Sequence, residues 1–295
     1  MSAAPSGIRA LLRGVLPAEP TRVQYVGGGS INQAAKVEAG GRAYFLKWKT
    51  NAPPRFFEAE AYGLSLLRGA GAIRVPEVIG FGEGSADQPA YLVLEWIEES
   101  RRAESLTFAV NFGRALANLH QVIGEAFGLD RDNFIGELPQ HNRPTPDWVA
   151  FYRDRRIAPQ VEIARARGRL NPDRERMLRK VMERMESLLD GAGEVPSLLH
   201  GDLWSGNFLV ADSHQPVIVD PAVYYGDREV EIAFTELFGG FPPGFLTAYD
   251  EAYPLPRGYA RRRDLYQLYP LLVHLNIFGE SYGHRVDAVC RSYLS

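Results

Sequence analysis

The chain is poor in the residues that would brace it covalently or anchor it elsewhere. Cys290 is the single cysteine among 295 residues. That excludes an intrachain disulfide and a multi-cysteine metal centre, and it fits a reducing, cytoplasmic setting. Neither sign of charge dominates. Basic residues number 33 and acidic residues 36, a formal charge of -3, so no basic excess points to a nucleic-acid partner. The densest basic cluster, Arg261-Arg262-Arg263, reads as a solvated helix face. No stretch approaches the ~20 apolar residues of a membrane span, so no membrane partner is expected. Near the N-terminus Ile8, Leu11, Leu12, Val15 and Leu16 recur at helical spacing, interrupted by Arg9 and Arg13. This is an amphipathic helix; a signal peptide needs a longer unbroken apolar core.

What is present is the composition of a globular enzyme, 45% apolar and 23% charged. The length suits two lobes. The first third reads as β-rich. Val23 to Val26 precedes Gly27-Gly28-Gly29-Ser30, and Gly40-Gly41 joins two strand-like runs, a strong hairpin signal. A helix over Arg55 to Leu67 and strands near Val75 to Phe81 and Ala90 to Ile97 follow. From Ser105 the pattern turns helical, apart from short strands around Pro196 to Leu209 and Pro216 to Asp220. The expected fold class is α+β: an antiparallel sheet with one helix over residues 1–97, and a mainly helical lobe over 98–295.

The most informative segment is His200-Gly201-Asp202-Leu203-Trp204-Ser205-Gly206-Asn207, set between apolar runs. It is followed by Pro216-Val217-Ile218-Val219-Asp220, a strand ending in a carboxylate. Phosphoryl transfer needs a base near the acceptor hydroxyl and oxygen ligands for Mg²⁺. A loop Asp, an Asn five residues on and an Asp ending the next strand form the kinase pattern, and Asp202, Asn207 and Asp220 reproduce it. His200, just before Gly-Asp, reads as a residue that bonds the loop backbone rather than as the base.

The first third supplies the other half of a kinase. Lys47 lies in Tyr44-Phe45-Leu46-Lys47-Trp48 and would bind phosphates. Lys49 shares its strand face, so the pattern alone does not choose, and the apolar flanks favour Lys47. Its acidic partner is sought on the following helix. Glu60 shares a face with Phe56, Leu64 and Leu67, whereas Glu58 groups with Tyr62 and Ser65; Glu60 is preferred. Gly28, Gly29 and Ser30 would cover the phosphates, although the loop fits neither G-x-G-x-x-G nor a P-loop. By position, backbone groups of Glu95 and Ile97 would meet adenine. Trp204, placed between base and metal ligand, reads as a pocket residue able to stack on a sugar. His274, in an apolar helical run, reads by itself as a hydrogen-bonded core histidine.

With these residues the chain resembles the fructosamine kinase (ketosamine-3-kinase) family, protein-kinase-like phosphotransferases related to aminoglycoside phosphotransferases. The likeness covers nearly the whole chain. It is carried by Leu199 to Asn207, Asp220-Pro221-Ala222 with Tyr225-Gly226-Asp227, and Phe238 to Pro242. Gly136-Glu137-Leu138-Pro139-Gln140-His141-Asn142 supports it. The resemblance implies ATP- and Mg²⁺-dependent (or Mn²⁺-dependent) phosphorylation of the sugar O-3 of a ketoamine, free or peptide-linked. Decay of that phosphate frees the amine, which is deglycation. It implies Asp202 as base, Asn207 and Asp220 as metal ligands, Lys47 with Glu60 as the phosphate-orienting pair, Trp204 facing the substrate, and His274 and Asn276 near the acceptor pocket. Two departures stand out. Ser30 replaces a cysteine that some members carry, so thiol-linked dimerisation there is not expected and a monomer is. Glu231 replaces an Asp that braces the catalytic loop in many members. A phosphotransferase for aminoglycosides or choline-like amines, and a nucleotide-binding pseudoenzyme, are the other readings.

Overall fold

The structure is a computed structural model that describes residues 6–27, 32–100, 105–193 and 195–295. The first lobe starts with helix α1 (Ser6–Arg13) and strands β1 (Pro20–Val26), β2 (Gln33–Ala39) and β3 (Arg42–Lys49). Helix α2 (Phe56–Ala70) and strands β4 (Val78–Gly82) and β5 (Ala90–Glu95) complete it. The five strands form one antiparallel sheet in the order β1-β2-β3-β5-β4. The β2–β3 turn is made by Gly40 and Gly41, whose φ values of 56° and 75° are left-handed and cheap only for glycine.

Alternation along β3 decides which face carries chemistry. Tyr44, Leu46 and Trp48 point to one side, where they are buried with Ile8, Leu11 and Leu12 of α1 and with Val37 and Val93. Each such side chain contributes about 1.5–3 kcal/mol by leaving water. The amphipathic N-terminal segment therefore seals the outer face of the sheet, adding a second helix to the lobe. Phe45 and Lys47 take the opposite face and line the interlobe cleft.

The second lobe continues with α3 (Leu106–His120), capped by the Ser105 side chain, which accepts from the Phe108 amide at 3.1 Å. A small hairpin follows, β6 (Asn133–Ile135) and β7 (Leu138–Gln140), then α4 (Trp148–Phe151), a π-helical stretch Tyr152–Ile157, α5 (Ala158–Ala166), α6 (Pro172–Glu183) and α7 (Met185–Leu188). Strands β8 (Ser197–Leu199), β9 (Phe208–Ala211), β10 (Gln215–Ile218) and β11 (Tyr224–Gly226) pair as β9–β10 and β8–β11. Helices α8 (Glu229–Phe238), α9 (Phe245–Ala252), α10 (Tyr259–Tyr266), α11 (Leu268–Phe278) and α12 (Gly283–Leu294) close the chain. One core joins the lobes: Phe57, Leu64 and Leu67 of α2 pack with Phe108, Phe112 and Leu116 of α3 and with Leu203 and Ile218. Among the described residues no helix is long and apolar enough to cross a membrane. Cys290 is buried in α12, and burial pushes its thiol up to about 12.

Candidate active site

The β9–β10 hairpin sets the centre of the site. Phe208 pairs with Ile218, and one step further the Val219 amide donates to the Asn207 carbonyl at 3.0 Å. Asn207 and Asp220 therefore emerge side by side from a single ladder. Asn207 Nδ2 donates to the Asp202 carbonyl at 2.8 Å and to Asp202 Oδ2 at 3.2 Å, closing the catalytic loop on itself. With its nitrogen so engaged, Asn207 has Oδ1 left to offer as a ligand. Asp220 sits at φ 58°, a left-handed conformation that costs an aspartate about 1–3 kcal/mol and that the surroundings must impose. From there Oδ1 of Asp220 accepts from Lys47 Nζ at 2.7 Å.

Lys47 also reaches Glu60 Oε1 at 2.8 Å, so the lysine and the helix α2 glutamate pair as the spacing suggests. Burial alone would lower the Lys47 pKa; the Asp220 and Glu60 carboxylates overcome it and hold the ammonium charged above its ordinary value. Burial raises Glu60. Lys49 instead lies near the Phe56 ring, 5.8 Å from its centroid, and Glu58 bonds Arg55 at 3.1 Å. Burial, and then the Asp220 charge, push Asp202 well above the usual carboxylate range.

The loop carrying Asp202 is braced from below. Gly201 has φ 83°, and a Cβ there would stand 2.0 Å from the Ala222 carbonyl oxygen, so only glycine allows the approach. Glu231, the departure from Asp, takes up the bracing position: its carboxylate accepts from the amides of His200 at 3.0 Å and Gly201 at 2.6 Å. It also accepts from His120 Nε2 at 2.9 Å, and the His120 Nδ1 meets the Tyr249 hydroxyl at 2.8 Å. Burial raises Glu231, but the His120 hydrogen bond and the nearby histidines outweigh it and keep the carboxyl below its ordinary range. His200 is buried and pushed towards neutrality. Its Nδ1 accepts from the Asp202 amide at 3.2 Å, and its Nε2 donates to the Val219 carbonyl at 2.8 Å, the backbone role read from sequence. His120 escaped the sequence reading, because a polar residue ending an apolar helix face has no periodic signature.

The cleft has a volume of about 540 Å³. Its inner wall holds Lys47, Glu60, Asp202, Asn207 and Asp220, and its hinge side holds Leu94, Glu95, Trp96 and Ile97. The Glu95 amide donates to the Glu77 carbonyl at 2.8 Å, and its carboxylate pairs with Arg74 at 2.7 Å. Gly28, Gly29 and Ser30 lie outside the described residues. At the other end of the cleft Trp204, 40% exposed, lays its indole across Gly206, where a Cβ would stand 2.3 Å from the ring. Trp204 is thus a cleft residue and not core.

His274 lines the cleft, donating Nδ1–H to the Pro270 carbonyl at 2.7 Å and standing among Phe238, Phe278 and Tyr282. Burial lowers its pKa, so Nε2 is a bare acceptor. Asn276 differs from its expected placement. It is 1% exposed, and Nδ2 donates to the carbonyl and Oε1 of Gln160, both at 2.9 Å. Helical periodicity explains this: Val273, His274, Ile277 and Phe278 share the cleft face of α11, and Asn276 faces α5. Phe278, 48% exposed in the cleft wall, was not anticipated.

This geometry agrees with what the chain is similar to. The family model for fructosamine kinase matches residues 10–295. A protein of Enterococcus faecium named "Probable ketoamine kinase" is 42% identical over 266 residues, covering 90% of this chain and 93% of that one. The chloroplastic protein-ribulosamine 3-kinase of Arabidopsis thaliana is 34% identical over 280 residues, covering 93% and 83%. A crystal structure from Thermobifida fusca, named as a candidate fructosamine-3-kinase, superposes with a TM-score of 0.86 at 33% identity over 99% of both chains. An aminoglycoside phosphotransferase at 18% identity and a TM-score of 0.67 shares the fold. The chain belongs to the fructosamine kinase family of ATP-dependent phosphotransferases.

Proposed function

We propose that this protein transfers the γ-phosphoryl group of ATP to the O-3 hydroxyl of a ketoamine, and that decay of the 3-phosphate releases the amine. The observation that carries the reading is the convergence of Lys47, Glu60, Asp220, Asn207 and Asp202 on one cleft whose other end is aromatic. Asp202 takes the proton of the acceptor hydroxyl, Lys47 holds the phosphates in line, and backbone groups of Glu95 and Ile97 meet adenine. Trp204 and His274 receive the sugar.

The donors present fit Mg²⁺. Among the described residues no cluster of three His, Cys, Asp or Glu side chains exists that would cage a metal alone. One carboxylate, Asp220, and one amide oxygen, on Asn207, are the sparse protein share of a site that Mg²⁺ completes with phosphate and water. When bound, the ion supplies positive charge beside the phosphates and offsets the Asp220 charge that raises Asp202. Asp202 must be ionised to accept a proton, so kcat/KM falls as pH drops through its raised pKa.

The deciding experiment is mass-spectrometric detection of ATP-dependent phosphorylation on fructosyl-lysine and ribulosyl-lysine, with aminoglycosides and choline as parallel acceptors. Phosphorylation of the latter alone would replace the ketoamine reading.

A further inference from the structure

The segment Gly136 to Asn142 is not used by the chemistry above, yet the β6–β7 hairpin that overlaps it touches the site twice. Its tip, Phe134 to Gly136, lines the cleft. Its side chains grip the backbone that follows Asp220. Gln140 Nε2 donates to the Ala222 carbonyl at 3.0 Å, and Asn133 Nδ2 donates to the Val223 carbonyl at 2.8 Å. The two are tied together, since Asn133 Oδ1 accepts from Gln140 Nε2 at 2.9 Å and from Asn142 Nδ2 at 2.8 Å. Tyr269 donates its hydroxyl to Gln140 Oε1 at 2.7 Å.

Behind this set lies Arg156, fully buried in the π-helical stretch. Its Nη2 donates to Asn142 Oδ1 and its Nη1 to the His141 carbonyl, both at 2.7 Å. Among the described residues no carboxylate lies within ion-pairing distance of it, and its Nε–H has no partner. Aromatic faces stand in for a counter-ion: the guanidinium carbon is 3.9 Å from the Tyr224 ring centroid and 4.6 Å from that of Phe151. The Asp132 carboxylate acts on Arg156 only from beyond ion-pairing distance, and a buried charge bonded directly to neutral groups alone is costly, so an apolar side chain of similar volume would fill the space with less penalty. Stability alone does not account for it. π-helical turns also occur preferentially at functional sites.

The segment after Asp220 is held from its other side by α2. A Cβ on Gly63 would stand 3.1 Å from Val223 Cγ2 and 3.6 Å from Pro221 Cγ, so the helix that carries Glu60 packs directly on it. Phe56 of α2 and Phe134 of β6 meet with ring centroids 5.0 Å apart. Hairpin and helix thus clamp residues 221–223 between them.

We infer that Arg156 is a positioning residue for Asp220, acting through Asn142, Asn133 and Gln140 to fix the Ala222–Val223 backbone. The clamp holds Asp220 in its left-handed conformation and keeps its carboxylate on Lys47 without any modification of the chain. The inference rests on Asp220 as the metal ligand proposed above.

The test measures ATP binding by calorimetry with and without Mg²⁺, which needs no acceptor, and turnover against Mg²⁺ concentration. Failure of the ketoamine reading would leave the calorimetric arm intact. For Gln140→Leu and Arg156→Lys the expected result is an approximately tenfold weaker Mg²⁺ dependence, the usual scale for residues supporting a metal ligand. ATP binding without Mg²⁺ should fall less than the Mg²⁺ dependence, because Glu60 still holds Lys47 when Asp220 shifts. Arg156→Met should be worse than Arg156→Lys, and where it fails to fold, Gln140→Leu carries the test. Asp287→Asn, which breaks a distant ion pair with Arg174, serves as the control: it should lower Tm and leave the Mg²⁺ dependence unchanged. An unaltered Mg²⁺ dependence in both Gln140→Leu and Arg156→Lys, whatever happens to Tm, would reduce the hairpin to scaffold and overturn the inference.

Discussion

The two ends of the cleft are built on opposite principles. At the phosphate end the charged groups are paired within the chain: Lys47 bridges Glu60 and Asp220, and Asn207 closes on Asp202. At the end proposed for the acceptor the wall is Trp204, Ile277, Phe278 and His274, with two of the four nearly half exposed and little polar definition. Preorganised charge suits a step whose chemistry does not vary, the movement of a phosphoryl group. An aromatic wall tolerates a range of carriers, because stacking and burial do not demand one hydrogen-bond pattern. Variants at the first end should therefore change kcat, and variants at the second should change acceptor KM.

The largest effect is expected at Asp202. Asp202→Asn should keep ATP binding and lower kcat by about 10²–10⁴-fold, the range for a lost general base. Near-normal kcat would remove Asp202 from that role. The same substitution has a stability consequence of opposite sign. Burial and Asp220 raise Asp202 above its unfolded value, so between the two values the folded chain binds the extra proton, and stability falls as pH rises through that window. At pH 7 the Asn variant of the nucleotide-free enzyme should melt higher than the parent, and an unchanged or lower Tm in calorimetry would count against the environment described here. Asp220→Ala comes next. It removes a Lys47 partner and the proposed metal ligand, and a loss of about 10²–10³-fold in turnover is expected, the scale of one preorganised electrostatic partner. Metal dependence equal to the parent's would argue against the assignment. Glu60→Gln keeps the shape and one hydrogen bond while removing a charge, and should cost about tenfold in kcat/KM for ATP. A change confined to the acceptor KM would break the division between the two ends.

The phosphate end was also the more legible in the sequence. Asp202, Asn207 and Asp220 declare themselves because each is a polar residue at the edge of an apolar strand, and strand register then forces the latter two together. Lys47 and Lys49 could not be separated by alternation, since both point to the cleft side of β3, and only the position of Glu60 along α2 settles the pairing. Asn276, put near the acceptor pocket by the family resemblance, faces α5 instead, because helical periodicity sets it on a different face of α11 from His274. Gln140, Asn133 and Arg156 could not be assigned a site at all. Gln140 and Asn133 reach the Ala222 and Val223 carbonyls 82 and 90 residues away, and Arg156 joins them only through Asn142 and stacked aromatic rings, contacts that no local pattern encodes.

Trp204→Ala sharpens the comparison from the acceptor side. The indole covers Gly206 and contributes contact area without holding any catalytic group. Acceptor KM should rise about tenfold, as for loss of one stacked aromatic, with kcat at saturation and ATP affinity near those of the parent. A fall in kcat with constant KM would mean that Trp204 orders the Asp202 loop and does not receive the substrate.

The smallest expected effect is none, and it concerns phosphorylation of the enzyme itself. Protein kinases place a long segment after the metal-binding Asp, and its phosphorylation orders the site. Here β11 begins at Tyr224 and α8 at Glu229, so few residues separate Asp220 from regular structure. Those few are fastened already. The Ala222 amide donates to the His200 carbonyl at 2.9 Å, the Tyr225 amide donates to the Gly128 carbonyl at 2.8 Å, and β11 pairs with β8. No length remains to act as a phospho-switch or as a platform for an extended peptide. Phosphatase-treated enzyme should therefore phosphorylate a free ketoamine at the untreated rate, and free ketoamines should react at least as well as folded glycated proteins. Loss of activity after phosphatase treatment, restored by preincubation with ATP, would show a switch that this short, hydrogen-bonded segment has no room to provide.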